Sequence, residues 1–268
     1  MNILINKKHF FIVFIAILAM SFVFASPTNA AKKNKSGIQL LHFKAQDGFN
    51  LAGYIHVPKK NSVKTKIPLV IFIHSIGRDS DSWLTFPSQI YGLGIATFSL
   101  DLRGHGESIK NKNDKYRYWI NFDNKDFAKY PEDIISAINY IKKQYPEVDT
   151  GKTAIIAAGI GANAAIIAGS KNNTAVKTMI LLSPTLSYKG LETRIPLVAY
   201  GNHPILILAS REDTFAYKGS SELIKYGQGT KELKIFPYGG DGIDLIKFQP
   251  ETKGIIINWL KTKLLNIK

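Results

Sequence analysis

Residues 153–170 read TAIIAAGIGANAAIIAGS, and this stretch decides the fold. Its first six residues, 153–158, are mostly apolar and predict a short buried strand, while the alanine-rich residues from Ala162 onward predict a helix. The turn between strand and helix contains Gly159 and Gly161. A strand that leads into a helix through so short a turn is expected to place that turn at the edge of a sheet, where α/β proteins bind ligands. The turn is therefore the first candidate for a functional site.

Three interpretations of this turn stay open on the stretch alone. In the first interpretation, the small residues only permit close packing and a positive φ. The turn also has the shape of a nucleophile elbow, G-x-S-x-G, with Gly159 in the place of the serine. Finally, Gly159, Gly161 and Ala164 fit the dinucleotide fingerprint G-x-G-x-x-G/A. That fingerprint expects an acidic residue after the next strand, where this chain has Ser183 and Pro184, so dinucleotide binding is disfavoured.

Strands and helices alternate from residue 68 to the end of the chain. Largely apolar runs at 68–74, 95–101 and 204–210 are typical of parallel strands buried on both faces. The alternation predicts an α/β fold with a mostly parallel central sheet of about eight strands, helices on both faces and an antiparallel hairpin at its start. Residues 46–48, QDG, form the expected hairpin turn. The remaining predicted elements are strands at 38–43, 51–57, 178–182 and 232–238 and helices at 82–91, 131–144, 217–226 and 250–264.

The first 30 residues are predicted to be a secretory signal peptide. Lys7 and Lys8 precede an apolar run at 10–24, and small residues follow at Ala25 and Ala30, which is the pattern of an export signal. An uncleaved membrane anchor is the alternative, although the run is short for a membrane span. Because the chain contains no cysteine and hence no disulfide, the periplasm or the outside of a bacterial cell is the expected location.

The predicted domain organisation is simple. Residues 31–37 form a linker and residues 38–268 form one α/β domain, since a chain of 268 residues with 45% hydrophobic content can bury one substantial core. The net charge is +15, and scattered lysines indicate a solvated basic surface that can attract anionic envelope polymers or lipid head groups. No nucleic-acid-binding motif is present, and neither a metal nor a cofactor is expected.

Motifs at the predicted strand ends occur in an order that resembles the α/β-hydrolase fold. They are HSIG at 74–77, DLRGHGES at 101–108, the turn at Gly159, SRED at 210–213 and YGGDG at 238–242. The resemblance extends over residues 38–264 and is to the serine hydrolases that include monoglyceride lipases, dienelactone-hydrolase-like esterases and serine aminopeptidases. It implies a triad of serine, aspartate and histidine at the carboxyl edge of the sheet.

The resemblance implies a residue for each catalytic role, and two of those residues lack the required group. The nucleophile position falls on Gly159, the acid on Asp213 and the histidine on Asp241. The oxyanion-hole donors fall on the backbone N–H groups of Ile76 and Ile160. Without a hydroxyl on the elbow no acyl-enzyme forms, and without an imidazole no group shuttles the proton. The sequence therefore predicts a pseudo-hydrolase that binds a small-molecule, acylated or peptidic ligand without turning it over.

A second functional hypothesis is an active hydrolase with a relocated nucleophile. Ser75 lies next to the oxyanion position, although a hydrogen bond within the turn is its expected role. His74 and His105 are expected to hold their loops in place rather than to act as bases. The short connection 184–203 predicts an open cleft without a large lid. Candidate wall residues of that cleft are Tyr116, Tyr118, Trp119 and Tyr188.

The two acidic residues at triad positions raise a separate hypothesis. If the carboxylates of Asp213 and Asp241 approach each other, one pKa is raised or the pair binds a divalent cation or the ammonium group of a ligand. The simpler interpretation is that both residues cap turns or point into solvent. The distance between the two side chains decides between these interpretations.

Overall fold

The computed structural model describes residues 37–59 and 66–267. The predicted signal peptide, nearly all of the predicted linker and the polar loop 60–65 lie outside these ranges. Within them, no helix combines the length and the apolar composition needed to cross a membrane. The described residues form a central sheet that is covered by helices on both faces.

The central sheet is mostly parallel, as the sequence predicts. The strands are β1 (Ile38–Lys44), β2 (Asn50–His56), β3 (Ile67–Ile73), β4 (Ala96–Asp101), β5 (Val148–Ala158), β6 (Val176–Leu182), β7 (Ser187–Tyr188), β8 (Leu191–Glu192), β9 (Ile205–Ser210) and β10 (Lys231–Phe236). Eight of them form one sheet in the order β1-β2-β4-β3-β5-β6-β9-β10. The pairs β1–β2 and β2–β4 are antiparallel, whereas the other neighbours are parallel. The prediction of an antiparallel hairpin at the start of the sheet is therefore confirmed.

The helices divide between the two faces of the sheet. They are α1 (Phe86–Tyr91), α2 (Asn124–Phe127), α3 (Tyr130–Gln144), α4 (Ile160–Lys171), α5 (Arg194–Tyr200), α6 (Thr214–Leu223), α7 (Asp244–Phe248) and α8 (Glu251–Lys263). Helices α3, α4 and α5 contribute to one hydrophobic core, and α1, α7 and α8 contribute to the core on the opposite face. This is the layered arrangement expected of an alternating α/β chain.

The second part of strand β5, residues 154–158 (AIIAA), is apolar because it is covered on both faces. Ile155 and Ala157 pack into the core beneath α3 and α4, whereas Ala154 and Ile156 pack into the core on the other face. Successive side chains of a strand point to opposite faces, so a strand covered by helices on both sides needs apolar residues at every position. The predicted strand is thus confirmed and begins earlier, at Val148.

Several short elements are absent from the sequence-based prediction. These are α2, α5, α7 and the two-residue strands β7 and β8. Each is too short to show a hydrophobic period, which becomes readable only over a window of about 11 residues or more. Their positions depend on the loops around the carboxyl edge of the sheet. Helix α4, in contrast, is predicted correctly but begins at Ile160, two residues before Ala162.

A buried ion-pair network fixes the loop that follows β4. The guanidinium of Arg103 donates through Nε to Asp133 of α3 at 2.9 Å and through Nη1 to Asp47 of the first hairpin turn at 2.7 Å. Arg103 and Asp133 are almost completely buried. Burial raises the pKa of Asp133, and the hydrogen bonds and the charge of Arg103 act in the opposite direction. The network therefore ties three separate parts of the chain to one cation beside the candidate site.

Candidate active site

The turn at Gly159 has an unusual backbone conformation. Its φ is 54° and its ψ is −125°, in a region that residues with a side chain adopt only under strain. The N–H of Gly159 donates to the carbonyl of Leu182 at 2.9 Å, which joins the turn to β6. Strand β5 ends immediately before it and α4 begins immediately after it. The turn is therefore a sharp strand-to-helix elbow at the carboxyl edge of the sheet, and it carries no side chain.

The glycine two residues later has a packing role. A Cβ atom at Gly161 would overlap the carbonyl oxygen of His74 and would lie 2.7 Å from the Cγ2 atom of Ile73. Helix α4 can approach strand β3 only because this position has no side chain. The expectation that small residues in this turn permit close packing is therefore confirmed for Gly161.

The loop after β3 supplies backbone donors beside the elbow. The N–H groups of Ile76 and Ile160 make no hydrogen bond to a backbone carbonyl within the described residues. Ile160 is the first residue of α4, so its N–H belongs to the positive end of that helix. Both groups can thus donate to an oxygen atom of a ligand, and their role as oxyanion-hole donors stays a prediction.

Two histidines beside the elbow are held in the neutral state. Nε2 of His74 accepts from the N–H of Leu102 at 3.0 Å, and Nδ1 donates to the carbonyl of Ser75 at 2.8 Å. Nε2 of His105 accepts from the N–H of Gly77 at 3.1 Å, and Nδ1 donates to its own loop. Burial lowers the pKa of His74 to about 4, and burial together with the neighbouring His74 lowers the pKa of His105 to about 3. In each neutral ring, the one nitrogen that can accept a hydrogen bond already accepts a backbone N–H. Both histidines therefore hold their loops in place, as predicted.

The serine of the same loop behaves differently from its prediction. Ser75 is 7% exposed, and its Oγ atom has no hydrogen-bond partner among the described residues. The expected hydrogen bond within the turn is therefore absent. The hydroxyl instead faces the elbow, since a Cβ atom at Gly159 would lie 3.0 Å from Ser75 Oγ. A buried hydroxyl without a partner is uncommon and requires an explanation.

The two carboxylates at the predicted acid and histidine positions have different environments. Oδ1 of Asp213 accepts from the N–H of Ala216 at 2.9 Å and thereby caps α6. Burial is the main cause that raises the pKa of Asp213, and the charge of Asp241 adds to it. Asp241 itself is exposed. Within the described residues, no group of three or more His, Cys, Asp or Glu side chains is arranged to hold a metal ion. Asp213 therefore caps a helix, as the simpler interpretation expects, and its pKa is also raised in part by Asp241, as the pair hypothesis expects.

The predicted aromatic wall residues lie at different places along the rim. Trp119 stacks on His105 with ring centroids 5.6 Å apart and packs against Gly77. Tyr188 lies edge-on to Phe215, which follows Asp213 in the chain. Tyr116 is 60% exposed and stacks on Tyr118. The structure thus places Trp119 and Tyr188 beside the predicted site residues, and it shows Tyr116 and Tyr118 in contact with each other.

The fold and this edge of the sheet are those of a known family. Residues 65–200, half of the chain, match the family model described as "Serine aminopeptidase, S33". The chain belongs to this serine aminopeptidase family. The resemblance to serine hydrolases of the α/β-hydrolase fold is therefore confirmed, and the alternative of a dinucleotide-binding protein loses its basis.

Relatives of this S33 family member agree on the fold. A monoglyceride lipase homolog of Monkeypox virus is 31% identical over 140 residues, which are 52% of this chain and 46% of that protein. The match thus spans about half of the curated relative's length. Among solved structures, the dienelactone hydrolase of Anabaena variabilis has a TM-score of 0.65 at 16% identity and covers 85% of this chain and 99% of its own. The acetyl xylan esterase of Paenibacillus sp. R4 has a TM-score of 0.68 at 16% identity and covers 85% of each chain.

Sequence reasoning missed the residues that hold the segment 239–242 over the elbow. The carboxylate of Glu212 accepts from the N–H groups of Gly239 and Gly240 at 2.9 and 3.1 Å. Oγ of Ser183 accepts from the N–H of Gly242 at 2.8 Å. The only available signal is that each lies at the end of a predicted strand, where the family's site residues occur. These contacts close the segment down on the elbow.

The glycine segment 239–242 lies directly against the elbow. Gly242 is buried, and a Cβ atom at this position would overlap Ser75 Oγ and would lie 3.3 Å from the N atom of Gly159. Gly159 itself and Ile76 are only half-buried, so the elbow stays partly accessible beside this segment. Cavities of about 480 and 320 Å³ elsewhere are lined by residues such as Val148 and Tyr54, respectively.

Proposed function

We propose that this S33 family member is an exported pseudo-hydrolase that binds an ester, acyl or peptidic ligand without hydrolysing it. One observation carries the proposal, namely an elbow that keeps the strained backbone of a nucleophile turn at Gly159 and has no side chain there. In serine hydrolases the side chain on this turn attacks the substrate carbonyl. A glycine cannot form the acyl-enzyme, so the first chemical step has no nucleophile.

The environment of the nearby histidines supports the same proposal. A general base must offer a free lone pair to the proton that it removes. The Nε2 atoms of His74 and His105 already accept backbone N–H groups, and burial keeps both pKa values far below neutrality. In this proposal Asp241 occupies the position of the family's histidine, so this position offers no imidazole ring to take up the proton and return it to a leaving group.

The ligand class in this proposal comes from the family and from the rim. The relatives named above include a monoglyceride lipase homolog and an acetyl xylan esterase, both of which are named for esters. The N–H groups of Ile76 and Ile160 are suited to a carbonyl or carboxylate oxygen. Trp119 and Tyr188 supply apolar surface at the rim.

A specific observation also favours the second candidate, an active hydrolase with a relocated nucleophile. Ser75 Oγ is the hydroxyl that faces the elbow. It lacks the hydrogen bond to a base that activates a serine, since it has no partner at all within the described residues. This candidate is therefore ranked second.

An ester hydrolysis assay separates the two candidates. Purified protein is incubated with p-nitrophenyl acetate and p-nitrophenyl butyrate, with heat-denatured protein and the variant Ser75→Ala as matched controls. We expect residual acceleration of about 10³–10⁴-fold over water at most, as in proteases stripped of their triads, and the same rate in Ser75→Ala. Faster hydrolysis that Ser75→Ala abolishes would establish Ser75 as the nucleophile and end the pseudo-hydrolase proposal.

Export is tested independently of activity. The lysines and apolar run before residue 30 are the support for a cleaved signal peptide, and the basic surface supports association with anionic envelope polymers or lipid head groups. After expression of the full chain in a bacterial host, we expect protein outside the cytoplasm with a mass that lacks roughly the first 30 residues. Full-length protein in the cytoplasmic fraction would contradict export, and full-length protein in the membrane fraction would establish the anchor.

A further inference from the structure

Three loops that are distant in sequence share one small volume at the elbow. Ser75 follows β3, Gly159 follows β5, and Gly242 follows β10. A Cβ atom at Gly159 would lie 3.0 Å from Oγ and 3.2 Å from Cβ of Ser75, and a Cβ atom at Gly242 would overlap the same Oγ. Carbon and oxygen atoms that are not bonded do not pack so closely without displacement. A side chain at residue 159 would therefore crowd the side chain of Ser75 and displace its hydroxyl.

We propose that Ser75 and Gly159 are an exchanged pair, in which Ser75 fills the volume that a nucleophile side chain would need and thereby closes the elbow. The inference rests on the proposed function, because it takes residue 159 as the nucleophile position. The family pattern has His-Gly where this chain has His74-Ser75, and Ser where this chain has Gly159. A serine is thus absent from the elbow and present on the loop that faces it.

The environment of the Ser75 hydroxyl indicates that it fills space rather than makes a bond. Its Oγ atom is buried and has no hydrogen-bond partner within the described residues. Two nearby N–H groups are engaged elsewhere, since Gly159 N–H donates to Leu182 and Gly242 N–H donates to Ser183. A hydroxyl buried without a partner destabilises the folded state. Its retention is understandable if the volume of the side chain matters more than its polarity.

The exchange has a consequence for catalysis. The elbow lacks a nucleophile for a chemical reason, the missing hydroxyl at residue 159, and it also excludes one for a steric reason, the side chain of Ser75. Restoring the hydroxyl alone is therefore insufficient. Ser75→Gly is expected to be required together with Gly159→Ser before a serine at the elbow can adopt a reactive rotamer.

Thermal unfolding of four proteins tests the steric part. These are the wild type, Gly159→Ser, Ser75→Gly and the double variant. We expect Gly159→Ser to lower Tm by about 4–10 °C, through backbone strain at a positive φ and crowding against Ser75. We expect the double variant to have a higher Tm than Gly159→Ser, whereas Ser75→Gly alone should not raise the Tm of the wild type. Ser170→Gly, at the far end of α4, is the matched control and should be additive with Gly159→Ser. Additive Tm changes for Ser75→Gly and Gly159→Ser would overturn the proposal.

A labelling rate supplies the readout that a merely structural role would not change. In the background Asp241→His, the rate of fluorophosphonate labelling at position 159 is compared between Gly159→Ser alone and Gly159→Ser with Ser75→Gly. We expect Ser75→Gly to raise that rate about tenfold or more. Equal rates, including no labelling in either protein, contradict the exchange. The proposed function is tested on a different protein, the wild type, and labelling of the wild type would contradict it.

Discussion

Replacement of Arg103 by methionine is expected to lower the free energy of unfolding by about 3–5 kcal/mol, the usual cost of leaving a buried charge without its partner. Arg103 donates to Asp133 at 2.9 Å, and both side chains are almost fully buried. Without the guanidinium, burial and the charge of Asp47 raise the pKa of Asp133 further, against the remaining hydrogen bond from the backbone N–H of residue 103. The carboxyl then becomes neutral at a cost in free energy. Urea unfolding followed by circular dichroism measures this loss.

Two variants serve as controls for this expectation. The double variant Arg103→Met with Asp133→Leu removes both buried charges and should be more stable than Arg103→Met alone, since an apolar pair avoids the cost of desolvation. Asp47→Asn removes the less buried partner of Arg103, so its effect should be about 1 kcal/mol or less. A loss below about 1 kcal/mol for Arg103→Met would show that the network does not hold the loop that carries His105.

Acidification from pH 6.5 to pH 5 is expected to lower the free energy of unfolding, and His74 and His105 contribute about 3 kcal/mol to this loss because both are neutral when folded. The pKa of Asp133, raised to about 6, acts in the opposite direction and reduces the total. Burial lowers the pKa values of the two histidines to about 4 and about 3, whereas an unfolded histidine has a pKa of about 6.5. The unfolded state therefore binds more protons in this range, and stability rises with pH. The contribution is fully present above about pH 6.5 and is lost as the pH falls toward the folded pKa values.

The variant His105→Gln isolates this effect from other titrating groups. Glutamine does not titrate, so the variant should lose about half of the pH dependence, roughly 1.5 kcal/mol over the same interval. Its stability at pH 7 will also be lower, because the contacts of the ring with Gly77 and Trp119 are disturbed. The comparison therefore uses the slope of the free energy of unfolding against pH. Identical slopes for the wild type and the variant would show that His105 is not a buried neutral base.

The sequence predicts the fold well because its main elements have a clear period. The last part of strand β5, residues 154–158, is wholly apolar and leads directly into the small residues of α4, and a strand followed by a helix recurs along the chain. Helices α5 and α7, with seven and five residues, are too short to show a helical period. The segment before α5 is held by tertiary contacts, such as those of Asn163 with Thr185 and Leu191, which the local sequence does not encode.

The candidate site also has features that the sequence predicts and features that it does not. The positions of Gly159, Asp213 and Asp241 follow from motifs that lie at strand ends, which are local features of the chain. The approach of Ser75, Gly159 and Gly242 depends instead on the relative placement of three strands, and nothing local in the sequence encodes it. The sequence therefore predicts the positions of the site residues but not the contact of the glycine segment 239–242 with the elbow.

The central claim, that this S33 family member has kept the scaffold of a serine hydrolase without its nucleophile, is tested most directly by the mass of the intact wild-type protein after incubation with a fluorophosphonate probe. The account predicts an unchanged mass, because the elbow carries no hydroxyl and Ser75, the serine that faces it, has no hydrogen bond to a base. A single added phosphonyl group on one serine, absent when the protein is denatured beforehand, would contradict it.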